Sequence, residues 1–201
     1  MRRLGRFPAS LILGGLVVAL MAATVQAPDV HAHLRSWFGS SWYRWRDGQI
    51  WRLFTSTFVQ SGHGFVAGIA VLLWLVPLAE WRVGSRLTAM AFLLGDWVST
   101  LTVVLGARVV AAFGSGTAAH VLAHLDSGAS AACYACGGAF VWSFPYGRLG
   151  NALVAVLLVD LVVEAAVTHM LAEIQHPIAV VVGATAVHLA ARTNRGVPCR
   201  S

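Results

Sequence analysis

The sequence contains no lysine, and charged side chains of every kind make up only 11% of its 201 residues. An ordinary soluble domain carries roughly twice that share, so a normal water-facing surface is excluded. Cysteine is scarce as well. The three present, Cys133, Cys136 and Cys199, make no disulfide framework. Polar low-complexity tracts, linkers and internal repeats are missing, which excludes tethered domains and solenoids. Apolar residues fill the space instead, at 58% of the chain. A helix needs about 20 apolar residues to cross the hydrocarbon core of a bilayer, and several such runs follow one another. The expectation is one compact all-α, polytopic membrane domain with the lipid bilayer as a partner.

The formal net charge of +6 is carried by arginine alone. On a soluble chain it would suggest nucleic acid. Here the arginines flank apolar runs, where membrane orientation accounts for them, and no nucleic-acid partner is expected. The arginine-only basic set and the wealth of Ala and Val are also what a GC-rich bacterial genome yields.

Six spans can be read along the chain. Residues 1–27 hold Arg2, Arg3 and Arg6 before an apolar core ending in "VQA". This segment resembles a signal peptide, but Pro28 directly follows, a poor start for a mature chain, so an uncleaved first span is preferred. Residues 28–52 form a connector rich in Trp and Arg. Its Trp37, Trp42, Trp45 and Trp51 suit the headgroup layer on short interfacial helices. Five further spans are expected within 53–191, at about 57–79, 87–112, 127–145, 149–170 and 176–191, followed by a tail at 192–201.

With both termini in the cytoplasm, the inner arginines are 2, 3, 6, 82, 86, 148, 192, 195 and 200, and the outer ones are 35, 44, 46, 52 and 108. Nine against five favours this orientation. It puts the start of the fourth span near the outer face.

That start reads "HLDSGASAACYACGGAF", residues 124–140. Small residues frame Ser130, and Asp126, Ser127 and Gly128 are cap-type residues. A serine needs a base to become a nucleophile, and the free N–H groups of a helix start favour developing negative charge. The candidate bases are His120, His124, His169, His176 and His188. His176 opens the last apolar run, "HPIAVVVGATAVHLA", with Pro177 suited to a first helical turn. Ala179 and Gly183 share its face and offer a small-residue seam for close approach to the fourth helix.

These features resemble the rhomboid family of intramembrane serine proteases. "GASAACY" provides Gly128, Ser130 and Tyr134; "HPIAVVVG" provides His176. Trp51–Arg52 and the turn "EWRVGS", with Glu80, Arg82 and Gly84, match further family motifs. The resemblance covers about residues 48–191. It implies a six-transmembrane-helix rhomboid-like bundle and a Ser–His dyad cutting transmembrane protein substrates. Ser130 would be the nucleophile, His176 the general base and Tyr134 the ring that packs on and orients the base. Gly128 would belong to the motif at the helix start. The family needs no cofactor and no metal. The implied place is the cell membrane.

Two positions depart from the family. Phe65 and Ile69 stand where a histidine and an asparagine usually donate to the oxyanion. Gln60 and His63 lie nearby, but on other faces of an ideal helix. Ala131 replaces a motif glycine. The rival reading is therefore a catalytically weak or inactive rhomboid-like protein that binds membrane clients. A small transporter, resting on Asp160 and Glu164 in the fifth span, is a third. Cys133 and Cys136 read as packing thiols, with zinc or redox chemistry as the alternative. His120, His124 and Asp126 have metal-ligand spacing but suit a solvated outer loop. Asp96 is expected to find a hydroxyl partner at Ser99 or Thr100.

Overall fold

A computed structural model describes residues 7–25, 28–60, 65–124, 126–145, 147–168 and 172–193. Among these residues every regular element is helical and there is no strand. The elements are α1 (Pro8–Val25), α2 (Pro28–Phe38), α3 (Trp42–Arg46), α4 (Arg52–Thr55), α5 (Phe65–Val83), α6 (Ser85–Ala112), α7 (Gly116–Ala123), α8 (Ser130–Trp142), α9 (Arg148–Thr168) and α10 (Ala172–Thr193). Helices α6 and α10 are long and apolar enough to cross a membrane, and α1 contains a shorter apolar stretch.

Helix α8 is the hub. Residues Ala131–Ala139 are all buried. All but Tyr134 are small, so four neighbours can close on one helix. Gly137 faces Leu75 of α5 and Leu157 of α9, while Ala135 sits under Gly95 of α6. The tightest seam is with α10. A Cβ on Gly138 would collide with the Val180 backbone, and one on Gly183 with the Ala135 carbonyl. Only glycine permits that approach. The small-residue face of Ala179 and Gly183 thus does pack against the fourth helix.

Helix α1 joins the core through Ala9, Leu13, Val17 and Met21, packed with Leu72, Val76, Phe92 and Cys133. Its start is held by Glu80 near the end of α5. Glu80 accepts the backbone N–H of Ala9 (2.9 Å) and of Ser10 (2.7 Å), and the Ser10 hydroxyl (2.5 Å). A carboxylate there satisfies donors that a helix start leaves unpaired. Glu80→Leu keeps the bulk and removes the acceptors. It is expected to cost about 2 kcal/mol, read as a lowered unfolding midpoint of the purified protein in detergent.

The connector folds into α2–α4 and is pinned by Arg52. Its guanidinium donates to Gln49 Oε1 (2.5 Å) and to the carbonyls of Ser36 (2.7 Å) and Gly39 (3.1 Å). Trp37 and Trp51 are exposed, as headgroup anchors should be. Trp45 is not: it is buried, and its indole N–H donates to Ser40 Oγ at 2.7 Å. It packs with Leu53, Val104 and Leu122 because α7, an unexpected helix in the loop after α6, closes over it.

Three boundaries differ from the sequence reading. The second long helix starts at Phe65 rather than near 57, because Ser56–Phe58 make a tight 3₁₀ turn and Val59 is extended. Helix α8 is only 13 residues, from Ser130 to Trp142. Helix α10 begins four residues before His176, so Pro177 lies inside it rather than at its first turn.

Candidate functional site

Ser130 is the first residue of α8, and Ala129 is its N-cap. None of Asp126, Ser127 and Gly128 caps the helix with a side chain, contrary to expectation. Their backbone sets the entry instead. Gly128 has φ of 132°, a conformation that residues with a Cβ rarely adopt, and its N–H donates to Ser56 O at 3.0 Å. Asp126 pairs with Ser40 through two backbone bonds of 2.8 and 2.9 Å. The connector thus fixes the loop that delivers Ser130.

The close seam between α8 and α10 brings Ser130 to His176. His176 Nε2 lies 2.9 Å from Ser130 Oγ. The imidazole is 1% exposed, whereas Ser130 is open. Tyr134 stands one turn along the same face of α8. Its ring stacks on His176 with centroids 4.2 Å apart and planes at 21°. Of the five candidate histidines, the structure puts His176 on the serine. The rings of His120 and His124 stack on each other on exposed α7, and His188 meets Trp142 edge-on. His169 lies outside the described residues.

The turn carrying His176 is anchored by its neighbour. Buried Gln175 donates to Thr100 Oγ1 at 2.6 Å and reaches Asp126 Oδ2 at 3.5 Å; Thr100 donates to the same carboxylate at 3.4 Å. Burial pushes the Asp126 carboxyl up, while His124 and these hydrogen bonds pull it down. Asp126 is therefore an anchor for α10, not the third ligand of a histidine pair. Sequence reading missed this network, because Gln175 shows no pattern until α6 and α10 are side by side. Asp96 does find a hydroxyl, but it is Thr57 (2.5 Å). Ser99 bonds its own helix at Gly95 O (2.6 Å).

Gln60 sits beside the serine. Its Oε1 accepts the Ala129 N–H at 3.4 Å and lies over Gly128. Its amide nitrogen is buried with no hydrogen-bond partner among the described residues. Gln60 precedes α5, so the expectation that it points away on a helix face does not hold. Ile69 packs against the core shared by α1, α5 and α8. The side chain of Phe65, and all of His63, lie outside the described residues. Cys133 and Cys136 are buried in that same core, with Cys136 Sγ 3.9 Å from Thr88 O. Arg82 donates to Ser143 O at 3.3 Å and covers the Phe144 ring.

An accessible hydroxyl in hydrogen-bond reach of an imidazole, itself stacked under an aromatic ring, has the geometry that a nucleophile–base pair requires. Compared with known proteins, the chain matches no family model and no curated sequence.

Proposed function

We propose that the chain is a rhomboid-type intramembrane serine endopeptidase acting on transmembrane protein substrates. The observation that carries this reading is the 2.9 Å contact of Ser130 Oγ with His176 Nε2 under the stacked Tyr134 ring. Ser130 attacks the peptide carbonyl as His176 takes its proton. His176 returns that proton to the leaving amine, and water then releases the acyl group by the same exchange in reverse. The oxyanion is met by the Ser130 N–H, free at the helix start. The unpartnered Gln60 amide takes the part that Phe65 and Ile69 cannot. Covalent labelling by a fluorophosphonate tests the reading.

The proposal takes α1, α5, α6, α8, α9 and α10 as six spans of a bacterial cell membrane protein. Large exposed apolar side chains support it: Trp74 is 70% exposed, Val156 67% and Val162 68%. Helix α8 rises about 20 Å over its 13 residues. Against a hydrocarbon core of about 30 Å, a helix ending at the inner face leaves Ser130 roughly 10 Å below the outer one. The packing of α1 on Glu80 and the core supports its retention as the first span. A reporter fused after Ser201 is expected in the cytoplasm, and one inserted near Ser115 outside. An external C-terminus would remove the six-span arrangement.

The second reading, a client-binding protein without activity, is favoured by Phe65 and Ile69 at the usual donor positions.

A further inference from the structure

We propose that Asp160 is a positioning residue for the dyad, acting through Tyr134; the inference rests on the serine-hydrolase reading above. Asp160 lies on α9 within the run 152–163, where every other residue is apolar, one turn before Glu164, and the helix is exposed along much of its surface. An acid at membrane depth is costly unless it has a partner. Its Oδ2 accepts the Tyr134 hydroxyl at 2.6 Å. The same Tyr134 ring lies on His176, and His176 meets Ser130. Four side chains from three helices therefore form one line: Asp160, Tyr134, His176, Ser130.

The chemistry of that line is specific. A stacked ring alone fixes the imidazole plane but leaves the phenol free to slide along it. A hydrogen bond to a carboxylate pins the far end of the ring, and charge-assisted bonds of this kind are short and strong. It also draws negative charge toward the phenol oxygen, which makes the ring face a better neighbour for the imidazolium formed when Ser130 gives up its proton. Leu157 and Leu161, on either side of Asp160, pack on Tyr134, Ala135 and Ala179. They hold α9 at the distance the hydrogen bond needs. The carboxylate thus supports the base at one remove, through an aromatic ring.

The test compares Asp160→Leu, Asp160→Asn and Tyr134→Phe in full-length protein in detergent. Fluorophosphonate inactivation is followed over a range of probe concentrations. Asp160→Leu is expected to lower the maximal rate roughly tenfold and to leave the half-saturating concentration in place. Asp160→Asn keeps an acceptor oxygen and should recover most of that rate. Tyr134→Phe should lose as much as Asp160→Leu, and the double variant no more than either. A second readout needs no activity: the ring protons of His176, assigned by their loss in His176→Ala, are displaced upfield in NMR spectra by the stacked phenol. Asp160→Leu should diminish that displacement, and Asp160→Asn should preserve it. Unchanged displacement in folded Asp160→Leu overturns the proposal, as do losses that multiply in the double variant. Wild-type protein that never labels would sink the protease reading instead, and the His176 signal would still decide the role of Asp160.

Discussion

Purified protein is expected to take up a fluorophosphonate at Ser130 slowly, and Ser130→Ala to take up none. The nucleophile is removed in that variant, so the loss is complete. His176→Ala should fall nearly as far, since nothing else sits within reach of Oγ to accept its proton among the described contacts. The slow wild-type rate reflects the oxyanion side. Removing one donor from such a site typically costs about 10²–10³ in rate. Gln60→Leu is therefore expected to slow labelling by about that factor. Gln60→Glu should slow it too, because a carboxylate repels the developing charge. Supplying side-chain donors with Phe65→His plus Ile69→Asn should speed labelling. Asparagine at 69, however, enters an apolar core and carries the penalty of a buried amide. Folded wild-type protein that never labels, with a donor-restored variant equally silent, would leave the client-binding reading in place.

Gly183→Leu is expected to abolish the native fold, and Gly183→Ala to weaken it severely. Even one methyl meets the Ala135 carbonyl, which belongs to a rigid helix and cannot step aside. Overpacking usually costs about 1–3 kcal/mol, and a clash with backbone falls at or above the top of that range. The same seam sets the distance between Ser130 and His176, so labelling should vanish with the fold. Gly106→Ala is the control. It lies in α6 with open space where its Cβ would go and should leave the unfolding midpoint in place. A Gly183→Leu protein that melts like wild type would show that α8 and α10 do not approach as described.

The meeting of Ser130, His176 and Tyr134 was legible in the sequence from the family resemblance and from helix faces. Ser130 and Tyr134 are one helical turn apart, and His176, Ala179 and Gly183 lie on one face of another helix. What escaped was whatever depended on where a helix starts. Gln60 looked misdirected only because α5 was taken to begin near residue 57; a tight turn and an extended residue place it beside Ala129 instead. Trp45 has the composition of a headgroup anchor, but α7 buries it, and nothing in "GTAAHVLA" announced that packing. Asp96 was matched to hydroxyls one turn away, yet a hydroxyl three or four residues along a helix bonds its own backbone more readily. Thr57, 39 residues upstream, filled the place. The partner of Asp160 was equally hidden, since it depends on how α9 lies against α8.

The shortness of α8 has a further consequence, for the supply of the second reactant. Hydrolysis consumes water, and the interior of a bilayer holds none. On the proposed six-span reading, a helix of 13 residues that starts below the outer face would leave a recess above its first residue. Its floor would be the open Ser130 hydroxyl, with Gln60 and Asp126 at the helix start and the buried Thr100–Gln175 pair behind them. Such a recess would stay hydrated where the surrounding lipid is dry, so in the proposed reaction deacylation would draw on a standing reservoir. Lengthening α8 by one turn at its N-terminus would displace that water, and the acyl-enzyme should then accumulate.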